Sequence, residues 1–173
     1  MEKYKGYDIK IAQDEIAESP REWADDSCMI CFHTRYSLGD KHNLSVEEGR
    51  EFFRNPPKDI YILPLYLYDH SGITISTTPF SCRWDSGQVG YIYISKEKVK
   101  EVFNCKKLSK EREKAAYQFL RDEVSAYDSY IGNDVYGCII TKDGEDVDSL
   151  WEIYGYDEAM SDAKKYIDNM EEV

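Results

Sequence analysis

Strand-like runs recur through the first 94 residues, helical spacing takes over from residue 95, and one more strand-like pair separates the last two helical segments. Tyr7, Ile9 and Ile11 alternate along Tyr7–Gln13, and Cys28–Tyr36, Asp59–Tyr68, Ile73–Thr77 and Val89–Ile94 are further runs of strand-favouring residues. Pro64 marks an edge strand or a bulge, because proline has no N–H to give to a ladder. One helix interrupts the series: Ser45 and Glu48 have capping-box spacing, and Asn55-Pro56-Pro57 stops it. Ser95 opens a short basic helix, and Ser109 caps a longer one in which Ala116, Phe119, Leu120, Val124 and Tyr127 share a face before Gly132-Asn133. Asp143-Gly144 joins Val135–Thr141 to Val147–Tyr154 as a hairpin, because such a turn needs two residues that tolerate positive φ. Asp157 then caps a last helix that buries Ala159, Met160, Ala163, Ile167 and Met170. Strands that arrive consecutively, with helices grouped late, predict an α+β fold: a largely antiparallel sheet of about six to seven strands with three to four helices packed mainly on one side. No repeat, low-complexity tract or clear linker divides the 173 residues, so a single domain, 1–173, is expected.

Charge is sorted along this chain rather than mixed. Residues 1–86 carry 15 acidic and 10 basic side chains, residues 87–121 carry 4 and 9, and residues 122–173 carry 15 and 3. The acidic C-terminal portion, 122–173, therefore equals the formal net charge of −12 by itself. A one-sign field on part of a folded surface attracts basic partners and repels nucleic acid and anionic membrane. Lys96, Lys98, Lys100, Lys106, Lys107, Lys110, Arg112 and Lys114 form the opposite patch. Direct nucleic-acid binding through 96–114 would work against the negative whole, whereas self-association with the acidic portion of another copy suits both patches. Fifteen tyrosines suit either a sheet-rich core or a partly wet contact surface.

No apolar run approaches the roughly 18 residues of a membrane span, and no apolar stretch follows the lysines of MEKYKGYDIK. Five cysteines, an odd number, read as free thiols in a reducing compartment, and a cytoplasmic location is expected. Cys28 and Cys31, with His33 nearby, supply half of a zinc site, and a strand would send the two thiols to opposite faces. No calcium loop fits the acidic run from Asp143, because Asp148 or Trp151 stands where the sixth-position glycine is needed. Phosphate-loop glycines and His-Glu-x-x-His are both absent from the sequence. No metal or cofactor is expected. Asp69–Gln88 gathers Asp69, His70, Ser71, Cys82, Arg83, Asp85 and Ser86, in which Cys82 or Ser71 could act as nucleophile with His70 as base. Turn-organising hydrogen bonds explain the same residues without catalysis.

Within the acidic portion, Asp146, Asp148 and Glu152 share strand parity, and Asp157, Glu158 and Asp162 at the start of the last helix extend the row. With Asp143 and Glu145 they make eight candidate partner-binding carboxylates, and Trp151, Tyr154 or Tyr156 could supply aromatic anchors. Carboxylates at such spacing imitate a row of phosphates.

Four segments, IAQDEIAESPREW, CFHTRYSLGDKHN, LPLYLYDHSGITISTTPFSCRWDSGQVGYIYISKEKV and DVYGCIITKDGEDVDSLWEIYG, resemble a family of small proteins encoded by phages, prophages and other mobile elements. The resemblance spans Tyr7 to Tyr154 and carries no established catalytic residues. It implies a counter-defence role in the cytoplasm of a bacterial host, and an anti-CRISPR in particular: a non-enzymatic, DNA-mimicking inhibitor of a Cas9–guide RNA complex, whose nucleic-acid channels are basic. A small enzyme using the 69–88 loops, or a phage accessory or structural protein, are the alternatives.

Overall fold

A computed structural model of the chain, which describes residues 1–171, resolves these patterns into twelve elements. They are β1 (Glu2–Tyr4), β2 (Tyr7–Gln13), β3 (Cys28–Cys31), α1 (Val46–Arg54), β4 (Ile60–Asp69), β5 (Ile73–Ser76), β6 (Ser86–Ser95), α2 (Lys96–Val102), α3 (Lys110–Ile131), β7 (Val135–Lys142), β8 (Glu145–Tyr154) and α4 (Tyr156–Glu171). The fold is α+β, and its strands form two antiparallel four-stranded sheets, β1-β2-β7-β8 and β3-β6-β4-β5. Two compact units result: Met1–Ser19 together with Ser129 onward, and Pro20–Asp128. The strands divide this way because β2 pairs with β7, Asp8 opposite Thr141, and not with the strand that follows it in sequence.

In the first unit, Tyr7 and Ile9 share a sheet face with Cys138 and Ile140, and Ala163 and Ile167 of α4 close over them. The β7–β8 turn has Asp143 at φ 53° and Gly144 at φ 85°, the left-handed pair of a type I′ hairpin. Lys5 and Gly6, at φ 48° and 82°, make a similar turn between β1 and β2. β1 is not legible in the sequence, because its three residues are too few to show alternation. Asp157 does not cap α4. The helix begins at Tyr156, the Gly155 carbonyl accepts the Ala159 N–H at 3.1 Å, and Asp157 lies in the first turn.

In the second unit, the predicted capping box is present: the Ser45 hydroxyl accepts the Glu48 N–H at 3.3 Å, and the Glu48 carboxylate accepts the Ser45 N–H at 2.7 Å. α1 lays Phe52 on Tyr91 of β6, ring centroids 5.2 Å apart. α3 meets Tyr61 of β4 through Tyr117 at 5.3 Å and buries Ala116, Leu120, Val124 and Tyr127. Tyr61 pairs with Ile94, so α1 and α3 lie on opposite faces of this sheet. Leu120, Ile92 and Ile94 are almost fully buried, each worth about 1.5–3 kcal/mol relative to exposure. Pro64 lies in the half of β4 that only β6 pairs, one residue before a register shift at Leu65/Tyr66. β3 is shorter than expected because His33 Nδ1 accepts the N–H groups of Arg35 and Tyr36, at 3.3 and 3.2 Å, in a local turn that competes with the ladder.

Candidate partner-binding surface

Folding keeps most of the net negative charge in one unit. The first unit holds 17 acidic and 6 basic side chains, against 17 and 16 in the second, so one unit carries −11 of the net −12. Seven of the eight candidate carboxylates are exposed and Asp162 is half-buried. Asp143 sits in the hairpin turn, Glu145, Asp146, Asp148 and Glu152 on β8, and Asp157, Glu158 and Asp162 on α4. β8 is an edge strand, with every residue from Glu145 to Ser149 exposed.

The carboxylates of β8 do not form a single-faced row. Asp146 stands opposite Thr141 and Asp148 opposite Ile140, so Val147 is an extra residue that breaks the alternation between them. Asp148 therefore shares the face of Ile140 and accepts a hydrogen bond from the Tyr166 hydroxyl of α4, while Asp146 belongs to the other face. A second register shift separates Leu150 from Ile153, and Glu152 within it has φ 59°. Asp14, itself buried, holds that bulge by accepting the Glu152 N–H at 3.2 Å. The result is carboxylates on both sides of an irregular, charged strand edge, a form that discourages strand-on-strand pairing.

Bonding within the unit is uneven. Lys165 pairs with Asp162 at 2.8 Å. The Tyr166 hydroxyl and the Ser149 N–H hold the Asp148 carboxyl below the usual carboxylate range. Glu145, Asp146, Asp157 and Glu158 have no ion pair among the described residues. Trp151, 46% exposed, lies over Gly137 on the sheet face away from Ile140, and Tyr156 is half exposed. Tyr154 is partly buried.

The other sequence candidates fall in the second unit. Asp85 accepts from the Cys82 thiol at 3.4 Å and lies 3.3 Å from His70 Nδ1, so thiol and imidazole meet the same carboxylate rather than each other. Ser71 has φ 58°, the Ser86 hydroxyl donates to the Cys82 carbonyl, and Asp69 pairs with Arg35. Cys28 and Cys31 face opposite sides of β3, paired with Tyr93 and Gly90. Burial pushes the Cys31 thiol up to about 12, so it stays protonated at neutral pH, a poor state for a metal ligand. Among the described residues no three His, Cys, Asp or Glu side chains converge as a metal site. Lys98 is tied to Asp26 at 3.0 Å, which offsets one cation of the basic patch, and Lys96 donates to the Lys58 carbonyl at 2.5 Å while keeping its charge. No helix among the described residues is long and apolar enough to cross a membrane.

Two features of the second unit are not legible in the sequence. Trp84 is 96% exposed beside the His70–Asp85–Cys82 group, in a loop with no periodicity to reveal it. Arg50 and Arg54 line a cavity together with Phe32, Phe53 and Tyr91. Their i, i+4 spacing within a recognised helix was the available signal. Compared with protein-family models, curated proteins and solved structures, the chain matches none of them.

Proposed function

We propose that the chain is a counter-defence protein of phage or mobile-element origin, acting in the host cytoplasm as a non-enzymatic blocker of a basic nucleic-acid site on a Cas9-type nuclease. The observation that carries this reading is the concentration of charge: one compact unit holds −11, with Glu145, Asp146, Asp157 and Glu158 exposed, and without a close ion pair among the described residues, on an edge strand and the helix that follows it. Unpaired exposed carboxylates keep their full charge for a partner, and a basic channel built for phosphates is a complementary one. Trp151 and Tyr156 lie beside them as half-exposed rings, the type of anchor that dominates binding energy at protein interfaces. Attack by Cys82 or Ser71 has less support, since His70 reaches Cys82 only through Asp85.

The test is a quadruple variant, Glu145→Gln, Asp146→Asn, Asp157→Asn and Glu158→Gln. Its affinity for guide-loaded Cas9 at low salt should fall about tenfold or more, equivalent to about 1.4 kcal/mol, with its melting temperature kept within a few degrees of the parent's. Unchanged affinity in a folded variant would contradict the reading.

A further inference from the structure

The second unit contains a cavity of about 380 Å³ between α1 and β6, a volume within the range of small-molecule sites. Phe32, Phe53 and Tyr91 supply aromatic walls. Two glycines shape it: a Cβ on Gly49 would lie 2.3 Å from the Phe32 ring, and one on Gly90 would lie 1.9 Å from the Ile30 carbonyl oxygen. Charge at this cavity has one sign. Arg50 and Arg54 line it from adjacent turns of α1, and among the described residues no carboxylate does. Arg50 lies 3.2 Å from Glu47 in an exposed i, i+3 pair that water screens, and Arg54 has no ion pair among the described residues.

A guanidinium recognises phosphate or carboxylate with two parallel N–H donors, and ring walls accept a flat ring by stacking. A cavity lined by two cations and aromatic walls, with no carboxylate among its described lining residues, is complementary to one kind of small molecule. We propose that this cavity binds a small planar aromatic anion, its ring against Phe32, Phe53 and Tyr91 and its phosphate or carboxylate on Arg50 and Arg54. The site uses only residues of the second unit, so it stands or falls independently of the acidic surface.

Titration calorimetry of the full chain with adenosine 5′-monophosphate, 2-naphthoate and uncharged adenosine tests it. At least one anion should bind about tenfold or more tightly than adenosine. Preference for the nucleotide identifies a phosphate ligand, and preference for naphthoate a carboxylate one. Arg50→Gln with Arg54→Gln should weaken that binding by about tenfold, because both charge-assisted contacts are lost while the walls remain. Val46→Trp, placed at a cavity residue 44% exposed, should block it by filling the mouth. Both variants alter exposed positions, and their melting curves check that they fold. Failure of both anions to bind at millimolar concentration, binding of adenosine as tight as the anions, or undiminished binding in the folded double-arginine variant would each overturn the proposal.

Discussion

Arg21 is 4% exposed and still carries a full charge, which a domain can hold only if every donor is satisfied. Its Nε and one terminal nitrogen grip Asp40 at 2.8 and 3.0 Å, and the other terminal nitrogen meets Glu123 and the Ser27 hydroxyl. Arg21→Met strands two carboxylates and should cost about 3–5 kcal/mol, read as a loss of midpoint in urea unfolding. A loss below about 1 kcal/mol would mean that the network is replaceable by packing. Asp148 answers to pH instead. Its folded pKa lies below the ordinary value near 3.8, so the unfolded chain protonates first as acid is added. The stabilisation is complete above that ordinary value and disappears as pH falls through the folded one. Asp148→Asn should therefore lose less melting temperature than the parent between about pH 5 and pH 3, and parallel curves would contradict this role.

Gly137 and Trp151 show what one atom decides in β7 and β8. A Cβ at Gly137 would fall 2.3 Å from the Trp151 ring, so Gly137→Ala must push the indole off the sheet. The expected cost is about 1–3 kcal/mol, with Trp151 emission shifted to the red in a chain whose Trp23 and Trp84 are Phe. Unchanged emission and stability would contradict that packing. Much at this level was legible in the sequence: β2 by its alternation, α1 by Ser45 and Glu48, and the β7–β8 turn by Asp143-Gly144. Those are local signals acting over a few residues. The faces of Asp146, Asp148 and Glu152 were not legible, because Val147 is an extra residue in the ladder and Asp14, far away in sequence, fixes the bulge at Glu152. Simple parity fails wherever a distant partner sets the register. Pairing of β2 with β7, which separates the two sheets, was hidden for the same reason.

Charge sorting, visible along the sequence, survives folding: β1 and β2 join the C-terminal elements in one unit, which carries −11 of the net −12. The proposed blocking relies on a field of exposed charges, and such a field weakens with ionic strength over a screening length of about 8–10 Å. Blocking by occupancy also fixes a stoichiometry, near one copy per target site. The most direct measurement is a titration of the protein into guide-loaded Cas9 cutting a target DNA, at low and at high salt. Inhibition that saturates near equimolar protein and fades with salt is the predicted result. Inhibition far below one copy per nuclease, or none at low salt, would contradict an acidic blocker of this target.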